Sequence, residues 1–217
     1  MTNSMNTPQL KDKVKSSSSI SLRSGVTKIL VAGSGAVGKT TLLQVLKDNK
    51  PLEITTLSQE YHRTPFLNIE TISVERIGGT GSRGIFLMVD VAGQLDLPIH
   101  ALRDFSNLAL GSVELVMLMF SADNLQSLLD LKDWVSIVKT QHKGNRPLQF
   151  VLIMNKCDLD NCIDRGLVEQ FMESEPLTAG YFEISCRNGE GLDELQQWLV
   201  ETTKQESDLG DFKDDTT

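Results

Sequence analysis

Residues 28–40 are KILVAGSGAVGKT, a stretch that joins an apolar run to a glycine-rich turn and then to the start of a helical pattern. The apolar run is continuous rather than alternating, which is typical of a strand covered by helices on both faces. The turn has the spacing G-x-x-x-x-G-K-[ST], with Gly33, Gly38, Lys39 and Thr40 at the defined positions. This strand-to-helix junction predicts a loop that binds phosphate.

The residue types of this loop suit the phosphates of a nucleotide. Glycines let the backbone wrap a phosphate, so that several N–H groups and the positive end of the following helix point at its charge. Lys39 would reach the β- and γ-phosphates, and the Thr40 hydroxyl would ligate the Mg²⁺ between them. A plain glycine-rich turn is the alternative, but it does not require Lys39 and Thr40. The predicted phosphate-binding residues here are Gly33, Ser34, Gly35, Ala36, Val37, Gly38, Lys39, Thr40 and Thr41.

Strand-length apolar runs alternate with helical patterns along the rest of the chain, which predicts an α/β fold. One strand is more polar than the others and is joined to the next by GGTGSRG at 78–84, which indicates a hairpin with an antiparallel edge strand. We therefore expect a mostly parallel six-stranded sheet. The predicted strands are Lys28–Ala32, Asn68–Ile77, Ile85–Val89, Glu114–Phe120, Gln149–Met154 and Tyr181–Ser185, and the predicted helices are Lys39–Lys47, Leu125–Val138, Gly166–Glu173 and Leu192–Glu201.

A second motif, Asn155-Lys156-Cys157-Asp158, ends a buried strand. Guanine presents two donors side by side, N1–H and N2–H, and one carboxylate can accept both. Adenine has an acceptor at N1, which the same carboxylate would repel. Asp158 therefore favours guanine over adenine, although on its own the tetrapeptide is equally compatible with a polar turn after a strand.

Four motifs occur in an order that resembles the Ras-like small GTPases of the Ras superfamily. They are Gly33–Thr40, Asp90-Val91-Ala92-Gly93-Gln94, Asn155–Asp158 and Ser185-Cys186-Arg187. The resemblance extends over about residues 27–204 and implies a P-loop NTPase fold with three α/β/α layers.

The resemblance also implies roles at the guanine base. Asn155 would brace the phosphate loop, the stem of Lys156 would pack along the base and the sugar, and the backbone after Ser185 would donate to guanine O6. Cys186 stands where the family usually has alanine, and Arg187 where it usually has lysine. Because the contact with O6 comes from a backbone N–H, neither change should abolish it. An ordinary strand end is the alternative interpretation of these three residues.

The family further implies sensors of the γ-phosphate. Asp90 would hold Mg²⁺ through water, which would pair an otherwise costly buried charge. The Gly93 N–H would contact the γ-phosphate, and Gln94 would orient the attacking water, so that Gln94 and Lys39 are the predicted catalytic residues. Thr64, in the stretch YHRTPF, is the expected third metal ligand, with Thr55, Thr56 and Ser58 as competitors.

Composition limits the class of protein. The 217 residues carry a formal net charge of −8, which disfavours a protein that coats nucleic acid or anionic lipid. No stretch approaches the roughly 18 to 20 apolar residues of a membrane helix. The polar amino terminus lacks the apolar stretch of a secretory signal, so we expect a cytoplasmic protein. Three cysteines without metal-ligand spacing, Cys157, Cys162 and Cys186, predict buried thiols.

Both termini have too few apolar residues to offset the entropy of ordering. We expect a disordered basic tail at 1–26 and a disordered acidic tail at 205–217, on either side of a small GTPase domain at 27–204. The chain ends in Asp215-Thr216-Thr217 and has no glycine at position 2, which predicts no lipid anchor. At most, the basic tail would touch anionic membrane weakly.

These features predict a switch that hydrolyses GTP to GDP and phosphate, slowly when no partner is present. Effectors would recognise the loops ordered by the γ-phosphate, and activating and exchange proteins are implied by the family. The alternative is a scaffold that holds GTP with little or no hydrolysis, against which Gln94 and Thr64 argue. A kinase that shares the phosphate loop is disfavoured by Asp158.

Overall fold

The computed structural model describes residues 26–51, 67–75, 83–91, 93, 113–142 and 148–204. Within these ranges, no helix combines the length and the apolar content that crossing a membrane requires. The strands are β1 (Thr27–Ala32), β2 (Leu67–Glu75), β3 (Arg83–Val91), β4 (Leu115–Ser121), β5 (Gln149–Asn155) and β6 (Thr178–Glu183). The helices are α1 (Lys39–Asp48), α2 (Leu125–Leu129), α3 (Leu131–Gln141), α4 (Arg165–Ser174) and α5 (Leu192–Lys204).

The strands form one sheet in the order β2-β3-β1-β4-β5-β6. All neighbouring pairs are parallel except β2 and β3, which are antiparallel. Since β2 lies at the edge of the sheet, the predicted hairpin and edge strand are confirmed, as is the mostly parallel six-stranded sheet. The parallel strands run in the same direction, so their carboxyl ends lie together at one end of the sheet. The loops that carry the four motifs begin there.

Helices cover both faces of the sheet, and a separate buried cluster lies on each face. Successive residues of a strand point to opposite faces, so neighbours on β1 belong to different clusters. All seven residues of β4 are buried, which explains its unbroken apolar sequence. The cluster packed by α3 and α4 includes Leu30, Ala32, Trp134 and Phe171, and the cluster packed by α1 and α5 includes Ile29, Val31, Leu46 and Leu199.

The predicted helix Leu125–Val138 is wrong in one detail, because the structure divides it into α2 and α3. The two helices meet at Asp130, which keeps helical backbone angles of φ −63° and ψ −19°. Apolar periodicity continues across this junction, so the pattern of the sequence contains no signal for it.

The prediction of three buried thiols is also wrong. Cys186 is buried, but Cys157 is only half-buried and Cys162 is exposed. Cys162 lies in the connection between β5 and α4, where residues 159–162 are all exposed. The predicted tails lie outside the described residues, apart from Val26.

Candidate functional site

The loop between β1 and α1 depends on glycine at two positions. Gly33 has φ +146°, and a Cβ atom there would lie 2.1 Å from the carbonyl oxygen of Met119 on β4. Gly38 has φ +100°, and a Cβ atom there would lie 2.3 Å from Nδ2 of Asn155. No side chain caps the N-terminus of α1 at Gly38. The loop is therefore pressed against two neighbouring strands and presents backbone N–H groups at a positive helix end.

Lys39 turns its ammonium group back into this loop. Its Nζ donates to the carbonyl oxygens of Gly33 and Ser34, both at 2.9 Å, and the residue is only 6% exposed. Burial lowers the pKa of Lys39 to about 8, although the nearby charge of Asp90 opposes the shift. A bound anion would restore the stability of the ammonium form, so the loop is suited to a phosphate group.

Thr40 and Asp90 place two oxygen ligands side by side. The Thr40 hydroxyl donates to Oδ2 of Asp90 at 2.6 Å, and Asp90 is 0% exposed. Asp90 lies opposite Val31 in the parallel pairing of β1 and β3, which brings it next to the phosphate loop. A hydroxyl and a carboxylate fit Mg²⁺, which prefers hard oxygen ligands and usually keeps several waters and phosphate oxygens as well.

Gly93 lies directly against the phosphate loop. A Cβ atom at this position would come within 2.4 Å of the Gly35 nitrogen and the Ser34 carbonyl carbon. The backbone at Gly93 therefore reaches the loop at a distance that a larger residue would prevent. Gln94 and Thr64 lie outside the described residues, as do the competitors of Thr64.

Asn155 connects the phosphate loop to the guanine loop, Ser185–Arg187, whose backbone is predicted to contact guanine O6. Its Nδ2 donates to the Val37 carbonyl at 2.9 Å, and its Oδ1 accepts the backbone N–H of Cys186 at 3.2 Å. The side chain is 2% exposed, so both bonds are shielded from water. The last residue of β5 thereby brings together two loops that are distant in the chain.

The carboxylate of Asp158 is held on both sides. Ser185 Oγ donates to Oδ1 of Asp158 at 2.6 Å, and Nη1 of Arg187 lies 3.6 Å from Oδ2. The backbone N–H of Arg187 donates to Ser185 Oγ at 3.2 Å. Burial, together with the charge of Asp158, raises the pKa of the Cys186 thiol to about 12, so that this residue stays a neutral side chain in place of the usual alanine.

Sequence reasoning missed two acidic residues that contact the site. Asp123 accepts a hydrogen bond from Ser121, and its Oδ2 lies 3.7 Å from Nζ of Lys156, a residue with φ +65°. The Ser121 hydrogen bond lowers the pKa of Asp123, and the charge of Lys156 adds to the effect. Asp130 contacts the phosphate loop through Ser34. Neither acid belongs to a recognisable spacing, so the sequence offered no signal for them.

Comparisons with known proteins identify the family of the chain. The model of the Ras family matches residues 28–205. Ras-related protein Rab-27B of Rattus norvegicus is 28% identical over 184 residues, which cover 80% of this chain and 78% of the relative. The Bos taurus Rab-27B is 26% identical over 181 residues, with the same coverage of both chains. GTP-binding protein RHO2 of Saccharomyces cerevisiae is 26% identical over 186 residues, which cover 81% of this chain and 88% of the relative.

Replacement of Gly33 by alanine tests the steric demand of the loop. We expect Gly33→Ala to lower the free energy of unfolding by at least about 2 kcal/mol, because a positive φ and a clash with strand backbone combine. Urea denaturation measures the loss. Gly35→Ala is the matched control, since the nearest atom to its Cβ would be the Gly93 carbonyl oxygen at 4.0 Å. Equal losses in the two variants would contradict the prediction.

Proposed function

The chain belongs to the Ras family, and on that basis we propose that it is a small GTPase that binds GTP and GDP, hydrolyses GTP, and signals through the nucleotide it holds. The observation that carries this proposal is the pair of hydrogen bonds made by Asn155 to Val37 and Cys186. They link the phosphate loop to the loop at Cys186 where the strands end, and we propose that a single nucleotide spans both loops.

The phosphates would lie in the loop formed by residues 33–41. Backbone N–H groups and the N-terminus of α1 would face their oxygens, and Lys39 would exchange its bonds to the Gly33 and Ser34 carbonyls for phosphate oxygens or share them. Thr40 and Asp90, with Thr64 as the proposed third residue, would hold Mg²⁺. When bound, this ion would offset negative charge on the phosphates.

Guanine would compete with Arg187 for Asp158. The ion pair is 3.6 Å long and the Arg187 side chain is 51% exposed, so we estimate its contribution at no more than about 1 kcal/mol. Hydrogen bonds to a charged group contribute about 1.5–3 kcal/mol each, and guanine offers two. The base would therefore displace Arg187 while Ser185 keeps its bond to the other side of the carboxylate.

The proposed contact with guanine O6 involves groups that already have partners. The N–H groups of Cys186 and Arg187 donate to Asn155 and Ser185 at 3.2 Å, which is long for such bonds. We propose that one of them is shared with O6. The stem of Lys156, whose Nζ lies near Asp123, would pack along the base and the sugar.

We assign hydrolysis and switching to Gly93 and Gln94, which follow β3 in the sequence. Gly93 packs on the phosphate loop and would donate its N–H to the γ-phosphate, and we assign to Gln94 the orientation of the attacking water. Effectors would bind the form ordered by GTP, and activating and exchange proteins would control its lifetime. We also propose that the protein is cytoplasmic, a reducing compartment in which cysteines stay as free thiols.

Nucleotide extraction followed by single-turnover phosphate release tests the function. We expect the purified protein to carry a guanine nucleotide and to release phosphate slowly from GTP. The Gln94→Leu variant should release phosphate at least about tenfold more slowly, because the attacking water loses its orientation. Gln197→Leu, at an exposed position on α5, is the matched control. Guanine with no phosphate release would support the scaffold alternative, and bound adenine would overturn the proposal.

Asp158→Asn tests the selection of guanine. We expect GDP to bind about a hundredfold more weakly, because an amide cannot accept both donors of the base. Competition against a fluorescent nucleotide measures the affinities for GDP and ADP. Asp160→Asn, an equal charge change at an exposed position, should leave both unchanged. Equal weakening in the two variants would remove Asp158 from the base site.

The pKa of Lys39 predicts a pH dependence of nucleotide affinity. In the free protein this pKa is lowered to about 8, and nearby phosphates should raise it again. Above that pH the protein must take up a proton on binding GDP, so we expect affinity to be flat near pH 7 and to fall by up to about tenfold per unit towards pH 9. Calorimetry in buffers of different ionisation enthalpy measures the proton uptake. The Lys39→Met variant should bind GDP more weakly and take up fewer protons than the wild type. Equal proton uptake by the two proteins would show that Lys39 is not the group that takes up the proton.

A further inference from the structure

A carboxylate from the α2–α3 junction holds the phosphate loop by a side chain. Ser34 Oγ donates to Oδ2 of Asp130 at 2.6 Å, across 96 residues of sequence. The other carboxylate oxygen, Oδ1, accepts Nε2 of Gln126 at 2.7 Å, one turn earlier in the helical segment. The amide of Gln126 therefore helps to orient the carboxylate that contacts the loop.

Ser34 is the point of the loop at which several other contacts meet. Its carbonyl oxygen accepts the ammonium group of Lys39 at 2.9 Å. Gly93 approaches the same residue so closely that a Cβ atom at position 93 would lie 2.5 Å from the Ser34 carbonyl oxygen. A displacement of Ser34 would therefore move the Lys39 ammonium and change the space available to Gly93.

The glycines of the loop make the hydrogen bond between Ser34 and Asp130 more important for its conformation. Ser34 lies between Gly33 and Gly35, and glycine has the greatest backbone freedom of any residue. A serine side chain has a single χ angle, and its bond to a carboxylate is stronger than a bond between neutral groups. One short, charge-assisted bond thus removes freedom that the two glycines would otherwise leave to this part of the loop.

We propose that Asp130 is a positioning residue for the phosphate loop, and that it acts through the Ser34 hydroxyl. It does not touch the nucleotide; it sets the position of the Ser34 carbonyl and, with it, that of the Lys39 ammonium. The proposal rests on the proposed binding of guanine nucleotides. Asp130 would therefore contribute to the affinity for the β-phosphate and not to recognition of the base.

Comparison of GDP with GMP tests this assignment in the full chain. GMP lacks the β-phosphate, so a positioning role should affect the ratio of the two affinities. We expect Ser34→Ala and Asp130→Ala each to reduce GDP affinity about tenfold, while GMP affinity stays unchanged. Competition against a fluorescent guanine nucleotide gives both values, and thermal melting reports on the fold.

A double-mutant cycle separates the hydrogen bond from the charge of Asp130. If Asp130 acts through Ser34, the double variant should bind GDP no more weakly than either single variant. Asp130→Asn should restore most of the affinity, because the amide nitrogen can donate to Ser34 Oγ while the amide oxygen still accepts Nε2 of Gln126. Asp133→Ala, an exposed acid on α3, is the matched control and should have no effect.

Two results would overturn the proposal. One is additive losses in the double variant; the other is an unchanged ratio of GDP to GMP affinity, including parallel weakening of both nucleotides with a lower melting temperature. Should Asp130→Ala fail to fold, Ser34→Ala decides the question alone, since it removes a single oxygen atom. Wild-type protein that binds no guanine nucleotide would reject the proposed function itself. Wild-type binding with unaffected variants would reject only the role of Asp130.

Discussion

The site depends on the buried amide of Asn155, which ends β5 and bonds to two loops from opposite parts of the chain. Its Nδ2 holds the Val37 carbonyl and its Oδ1 holds the Cys186 N–H. An amide suits this place because it offers a donor and an acceptor at once without a charge, and a buried charge would need its own partner. The phosphate loop and the backbone at Cys186 are thus linked through one buried side chain.

The sheet supplies the geometry within which that amide works. Parallel pairing places the ends of β1, β3 and β5 at one edge, so that charged groups from separate strands lie close together. Lys39 and Asp90 are nearly or fully buried there, and each is stabilised by neighbours: two carbonyls for the ammonium, and the Thr40 hydroxyl for the carboxylate. Such buried groups cost stability in the free protein, and a site that binds a charged nucleotide can recover part of that cost.

Much of the fold could be predicted because its local patterns agree with its tertiary structure. The continuous apolar run of β1 indicated a strand covered on both faces. The polar sequence of β2, joined to β3 by a glycine-rich segment, indicated an antiparallel edge strand. The junction at Asp130 could not be predicted, because apolar residues keep their spacing through it. The exposure of Cys162 could not be predicted either, since composition does not show which positions of a connection are exposed.

The sequence by itself determined the residue types of the candidate site, because the motifs Gly33–Thr40 and Asn155–Asp158 are fixed spacings within short segments. Only the tertiary structure decided which groups meet: Ser34 with Asp130, Lys156 with Asp123, and Arg187 with Asp158. Contacts between separate segments depend on strand order and on the direction in which each loop leaves the sheet. No local spacing encodes strand order or loop direction. These three contacts could therefore be identified only from the tertiary structure.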